Sequence, residues 1–249
     1  MPAFDREPYV GLAIGSVLSQ TYRDLELVFL DDGSTDRTLQ IARERAARDP
    51  RVRVIESGKI GLPAALSLLH ERARGEYIGW VDSDDLLAKT ALAETVAHLD
   101  ARPEVGMVYT DHHVMREDGQ VLGLGRRCKI EYSKERLLVE LMTFHFRLFR
   151  RHLYDRVGGL DLSNDCAIDY DFCLRMSEVT EIEHLARSLY FYRTHARSIS
   201  SGRQLDQIEC SRRAIEKALV RRGMAEQVEL DVEIVGHFTL RKKTPPAAR

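Results

Sequence analysis

Two apolar runs that each stop abruptly at aspartates constrain the fold more than any other feature of these 249 residues. Leu25 to Leu30 ends at Asp31, Asp32, Gly33 and Ser34, and Tyr77 to Val81 ends at Asp82, Ser83, Asp84 and Asp85. A short, nearly unbroken apolar run bounded by a polar turn is the pattern of a strand buried on both faces, which is what a parallel sheet requires. Between the two runs, Leu39, Ile41, Ala42 and Ala46 recur at helical spacing, with Thr35 or Asp36 as cap and Pro50 as terminator. Val52 to Ile55 reads as a further strand and Pro63 to Ala73 as a further helix. This alternation predicts an α/β fold, a Rossmann-like, mostly parallel sheet flanked by helices on both faces. Ligands of such sheets sit beyond the carboxyl ends of the strands, so both acidic clusters are expected to face one crevice.

Further on, Leu86 to Leu99 reads as a helix, Val105 to Tyr109 as a strand, and Glu117-Asp118-Gly119 as a turn. Ser133 to Met142 and Tyr170 to Ser177 have helical spacing, and Ser188 to Tyr192 suits an edge strand. From Leu205 to Arg222, the positions Ile208, Ala214, Ile215, Ala218 and Leu219 make one amphipathic helix that Gly223 closes. Val228 to Leu240 alternates as a strand does, and Arg241 to Arg249 reads as a frayed tail. Residues 1–203 are therefore assigned to one domain, and residues 204–249 to a C-terminal helix, short strand and flexible tail.

Bulk properties narrow the function. A net charge of −2 offers no basic field for nucleic acid, so any phosphate bound belongs to a small molecule. Cys128, Cys166, Cys173 and Cys210 lack the paired spacing of a zinc site and read as reduced thiols. No apolar stretch approaches the ~20 residues of a membrane span, and the start lacks a signal-peptide pattern. The expected location is cytoplasmic, with at most peripheral contact with a membrane.

Four constellations carry chemistry. In an extended segment, Asp82 and Asp84 face the same way and offer the hard oxygen donors that Mg²⁺ or Mn²⁺ prefers; the plainer alternative is a solvated acidic turn capping a helix. Asp31 and Asp32 can accept hydrogen bonds from a nucleobase or ribose, whereas an Asx turn explains Ser34, Thr35 and Asp36 but not the two carboxylates. Asp169 or Asp171 can act as a general base, although an acidic helix N-terminus accounts well for Asp171. Around His195, the arginines Arg193 and Arg197 and the serines Ser198 and Ser200 make a partner for a metal diphosphate, against the alternative of a structural histidine.

In this order and spacing, these elements resemble the family 2 glycosyltransferases of GT-A fold over roughly Pro2 to Gly223. The likeness rests on Ser19-Gln20-Thr21-Tyr22, the Asp31 to Asp36 turn, Asp82 to Asp85, the Asp169 segment and Arg193-Thr194-His195. Val108 to Ser200 is similar to the second, glucuronosyl, transferase domain of bacterial chondroitin and hyaluronan synthases, notably at Val108-Tyr109-Thr110, His145-Phe146-Arg147 and Ala167 to Asp171. The resemblance implies an inverting transfer from a UDP-sugar, with UDP-glucuronic acid a donor to test, to a saccharide or lipid-linked acceptor. It assigns uracil contact to Asp32, ribose or nucleotide contact to Asp82, the Mn²⁺ or Mg²⁺ ion to Asp84 and His195, diphosphate contact to Arg193, and the base to Asp169. Phe4 takes the stacking position of the family's tyrosine. The stretch from His112 to Lys129 is where acceptor preference is expected to reside.

Three positions depart from the family pattern. Only the end of the usual first element is matched, at Pro2-Ala3-Phe4-Asp5, so the sheet is expected to lack its first strand; a start placed elsewhere or a truncated form accounts for this, the latter with open sheet edges and low stability. Ile168 replaces an acidic residue that often precedes the base, and Ala64-Ala65 replaces polar residues of the donor pocket. Rival readings remain. A nucleotidyltransferase would use the same sheet and metal but calls for a Gly-rich basic loop that is not found. A phosphoacceptor signalling domain would use Asp31, Asp32 and Asp82 and leave Asp169 and His195 idle. A degenerate sugar-nucleotide binder differs from an enzyme only in turnover.

Overall fold

The computed structural model describes residues 1–195 and 204–234. Strands β1 (Pro2–Ala3), β2 (Leu27–Asp31) and β3 (Val52–Glu56) form a parallel sheet in the order β1-β2-β3. All five β2 residues are buried, which explains its unbroken apolar character. The element expected to be missing is present as a two-residue stub: Pro2 and Ala3 lie in register with Leu30 and Asp31, and the Met1 amine donates to Val28 O at 2.9 Å.

Helices α1 (Glu7–Leu18) and α2 (Thr38–Ala46) cover this sheet. Asp36 starts both: its carboxylate accepts from Glu7 N at 3.0 Å and from Thr38 N at 2.9 Å, satisfying amides that a helix leaves unpaired. Thr35 turns instead to Asp5. Helix α3 (Leu62–Arg72) follows β3 and leads into the second sheet.

That sheet contains β4 (Tyr77–Gly79), β5 (Leu86–Leu87), β6 (Val105–Arg116), β7 (Val121–Leu124), β8 (Arg147–Arg150) and β9 (Glu181–Thr194). Its order is β4-β8-β6-β9-β5, with β7 hairpinned onto β6. Here β6 and β9 run parallel while β4, β5, β7 and β8 pair antiparallel, so the wholly parallel part of the fold is β1 to β3. Tyr190 stands in the middle of β9, fully buried between β6 and β5; Ser188 to Tyr192 is an interior strand, not an edge. Leu86 and Leu87 belong to β5 rather than to a helix, because Ser16 Oγ accepts from Leu87 N at 3.1 Å and β9 pairs with both residues. Helix α4 (Ala91–Asp100) begins only after them.

Helices α5 (Arg151–Arg156), α6 (Ile168–Val179) and α7 (Gln204–Arg221) complete the described fold. Ser133 to Met142 contributes only a short 3-10 turn at Arg136–Leu138. As its spacing implies, α7 buries Cys210, Ala214, Ala218 and Leu219 in the core shared with α6, and Gly223 follows it at φ +67°. Cys166 and Cys210 form a disulfide across 44 residues, which overturns the expectation of four reduced thiols; Cys128 and Cys173 are free. The packing of α7 beside the segment that precedes α6 brings the two together. Residues 228–234 are not a strand, and the rest of the expected strand and tail lies outside the described residues. No helix among the described residues is long and apolar enough to cross a membrane.

Phe149, fully buried, meets Trp80 and Phe172 at centroid distances of 5.8 and 5.0 Å and so joins β8, the end of β4 and α6. Phe149→Ala is expected to lower the unfolding free energy by about 3–5 kcal/mol in urea denaturation. A change under ~1 kcal/mol would show that this aromatic junction does not organise the core.

Candidate active site

The aspartate turn after β4 is held from below by β9. Asp85, 1% exposed, accepts from Arg193 N at 2.7 Å, and Asp82 N donates to the Tyr190 hydroxyl oxygen at 3.2 Å. Both bonds are backbone to side chain, so the turn is fixed in shape before any ligand arrives. Asp82 and Asp84 are left facing outward, and Asp85 is buried as structure.

Asp84 Oδ2 lies 2.9 Å from His195 Nε2 and accepts from Arg6 Nε at 3.1 Å. His195 is seated by the Tyr9 ring of α1, at a centroid distance of 4.9 Å. The Arg193 guanidinium also lies over that ring, 5.1 Å from the centroid. Arg193, 3% exposed, donates to the carbonyl oxygens of Asp84 and Glu117 at 2.7 and 2.9 Å. Its position is that of a clamp beneath the turn, and those contacts occupy the guanidinium that the sequence pattern directed at a diphosphate.

Asp32 and Phe4 lie at the ends of β2 and β1. Asp32 N donates to Ala3 O at 2.8 Å, while its carboxylate accepts from Ile60 N at 2.6 Å and from Gly61 N at 3.0 Å. This holds the entry to α3 in place. The Lys59 ammonium stands 4.4 Å over the Phe4 ring. Arg6 links the group to Asp84, since its Nη1 donates to Phe4 O at 3.0 Å.

Asp169 is on the first turn of α6, where its Oδ1 accepts from Tyr170 N at 2.9 Å. Its Oδ2 accepts from Arg147 Nη2 at 2.8 Å, and Arg147 is 1% exposed. Helix α6 is tied down on other sides as well. Asp171, buried, pairs with Arg175, whose Nη1 donates to Val157 O at 2.6 Å, and the Tyr170 hydroxyl donates to Leu137 O at 2.8 Å. Asp171 is thus the structural member of the pair and Asp169 the accessible one.

Asp82, His145 and Asp169 line one cavity of about 1590 Å³, which also extends between β2 and β4 along Leu27, Val28, Ile78 and Trp80. His145 Nε2 is 3.4 Å from Asp82 Oδ2, and its ring stacks on Tyr190 at 4.8 Å. Asp82 lines the cavity with 44% of its side chain exposed. Burial first, then the charges of Asp84 and Asp169, push its carboxyl up to about 7 against the pull of Arg147. Burial and then Arg147 press the His145 imidazolium the other way, well below the ordinary histidine value.

A hard carboxylate oxygen and an imidazole nitrogen converging within 2.9 Å are a donor pair suited to Mn²⁺ or Mg²⁺, and the crowding of Asp82 against Asp84 is what a cation relieves. The residues therefore fit a divalent ion held by Asp84 and His195. The structure brings Asp82, Asp84, Asp169 and His195 together, and Arg6 joins Phe4 to Asp84, while Asp32 is bonded to Ala3 next to Phe4. Arg6, Tyr9, Arg147 and Tyr190 were given no role by the sequence.

A family model for glycosyl transferase family 2 matches residues 1–158. The chain belongs to that family. Chondroitin synthase of Escherichia coli is 32% identical over 224 residues, 90% of this chain and 32% of that protein. The chain therefore spans about a third of that relative. Among solved structures, S. aureus TarS 1-349 in complex with UDP-GlcNAc superposes with a TM-score of 0.72 at 20% identity, covering 88% of this chain and 64% of that one. The mannosyltransferase PcManGT from Pyrobaculum calidifontis, in complex with GDP-Man and Mn²⁺, gives 0.67 at 19% identity over 90% and 67%. These superpositions show the GT-A fold.

Burial would raise the Asp169 carboxyl, but Arg147, by charge and hydrogen bond, with His145 and Arg127 behind it, outweighs burial and holds it below the ordinary carboxylate range. A carboxyl depressed in the folded state stabilises the fold above its unfolded value, near ~3.9, and the contribution is lost as pH falls through the folded value. Asp169→Asn in this family 2 enzyme fold is expected to be about 1–3 kcal/mol less stable than wild type at pH 7, because it strands a buried guanidinium. The gap should close below about pH 4 in denaturant titrations. Equal stability at pH 7 would show that the pair does not hold α6.

Proposed function

We propose that this chain transfers a sugar from a UDP-sugar to a hydroxyl of a saccharide or lipid-linked acceptor, by a single inverting displacement that depends on Mn²⁺ or Mg²⁺. The observation that carries the reading is the presence of an accessible, ionised carboxylate at Asp169 and of Asp82, the first residue of the Asp82 to Asp85 turn, on the wall of one cavity. The names of the relatives support it: one is a chondroitin synthase, one is bound to UDP-GlcNAc, and one to GDP-Man with Mn²⁺.

In this reading Asp32 and Phe4 receive the base, Asp82 the ribose, and Asp84 with His195 the ion beside the diphosphate. Asp169 takes the proton of the acceptor hydroxyl as its oxygen bonds to C1 of the sugar. The C1–O bond to phosphate breaks from the opposite face, and its electron pair leaves on the diphosphate oxygen, which inverts the anomeric centre. When bound, a divalent ion offsets the charge that grows on that oxygen. Arg147 keeps the base ionised and directed. Arg193 acts through the turn it clamps, at one remove from the diphosphate. UDP-glucuronic acid is the first donor to test, on the strength of the likeness to the synthases.

Release of UDP should require a divalent cation, and Asp84→Ala and Asp169→Asn should each reduce it by about 10²–10⁴-fold in a coupled assay with an oligosaccharide acceptor. Mass action predicts that a UDP-sugar at a hundred times its Kd, with Mn²⁺, stabilises the wild type by about 2.7 kcal/mol in thermal unfolding. Unfolding curves that no nucleotide sugar moves would overturn the proposal. Donor binding without turnover across a broad acceptor panel would replace it with a sugar-nucleotide binder.

A further inference from the structure

The loop after β7 is drawn close onto β6. Gly125 N donates to His112 O at 2.9 Å, and His112 N donates to Cys128 Sγ at 3.3 Å. A Cβ added at Gly125 would fall 2.0 Å from His112 Nε2, so only glycine permits this approach. The loop delivers Arg127 to the cavity wall, where its guanidinium lies 4.5 Å over the Phe144 ring. Stacking fixes the plane of a guanidinium without using its N–H donors. Among the described residues, no acceptor forms a hydrogen bond with this side chain.

Arg127 is not the counterion of Asp169, since Arg147 already holds that carboxylate at 2.8 Å. Arg127 feels the charges of both Asp169 and Arg147, and among the described residues it forms no ion pair of its own on the cavity wall. Arg127 is exposed, so its N–H donors face solvent, and the chemistry that answers a guanidinium held on an aromatic face with its donors open is a carboxylate, which it can grip with two parallel hydrogen bonds.

We infer that Arg127 is a specificity-determining residue that binds the carboxylate of an anionic sugar, a uronic acid, next to the base Asp169. The inference rests on the glycosyl-transfer reading of the site. The carboxylate belongs either to the donor sugar or to the terminal unit of the acceptor, and the chemistry is the same in both cases.

Calorimetry on the full chain with Mn²⁺ separates these sources. UDP, UDP-glucose and UDP-glucuronic acid form the donor arm; oligosaccharides ending in glucuronate or in N-acetylhexosamine, added to the UDP complex, form the acceptor arm. In one arm the wild type should prefer the carboxylate ligand over its neutral counterpart by about ten- to a hundredfold, the range of a charge-assisted hydrogen bond. Arg127→Gln should abolish that preference and Arg127→Lys should keep part of it, and the arm that responds names the source. A wild type indifferent to charge in both arms overturns the inference, as does a preference that survives Arg127→Gln. An Arg127→Gln that weakens UDP, UDP-glucose and UDP-glucuronic acid by one common factor makes Arg127 a diphosphate contact and overturns it too. In these three cases UDP-sugar binding persists and the transfer reading stands; a wild type that binds neither UDP nor any UDP-sugar removes that reading and the inference together.

Discussion

The parallel pairing of β9 with β6 is the constraint on which the candidate site depends. It runs from Val105 against Glu181 to Arg116 against Thr194, and it returns a segment more than 70 residues downstream to the end of the sheet where the Asp82 turn emerges. With β5 on its other edge, β9 has no freedom to slide, because a shift of one residue would turn Tyr190 out of the core and Arg193 away from Asp85. One strand therefore supplies the support of the turn, at Tyr190 and Arg193, and the imidazole beside Asp84, at His195. Had β9 been an edge strand, none of these contacts would be specified by a ladder on both sides.

Charge is distributed with the same economy. Carboxylates at 82, 84, 85 and 169 are gathered at one end of the fold, and each has a different neighbour: His145 for Asp82, Arg6 and His195 for Asp84, the Arg193 amide for Asp85, and Arg147 for Asp169. The consequences diverge accordingly. Burial and like charge lift the Asp82 carboxyl, whereas a direct guanidinium contact depresses that of Asp169. Two aspartates in one cavity are thereby made chemically unlike.

The parts of this arrangement that were legible in the sequence are those with a local signal. Apolar runs ending in aspartates located β2 and the end of β4, and helical spacing located α2, α3, α6 and α7 to within a few residues. Asp84, Asp169 and His195 stood out because each lies within a cluster of polar residues. Arg6, Tyr9 and Tyr190 did not, since each is a single residue whose partner lies 78 to 186 positions away or across the sheet. Arg147 was visible within a local basic patch and within a His-Phe-Arg string shared with related synthases, neither of which carried a role at the site. The misread elements have the same origin. Leu86 and Leu87 look helical in isolation, and they become strand because β9 and Ser16 offer their backbone groups partners that a helix would not. Cys166 and Cys210 read as unrelated thiols because nothing in their spacing announces that α7 folds back beside α6.

The close seat of Gly125 against His112 has a thermodynamic side. A rim loop that must be frozen when a ligand arrives charges the ligand for the freedom it removes, about 0.5–1.5 kcal/mol for each immobilised side chain. Here the backbone of residues 125–128 is already joined to an interior strand, and Arg127 is already spread on an aromatic face. Whatever docks at this rim meets a preorganised wall, so its affinity is decided by chemical match and desolvation, with little entropy left to lose on the protein side.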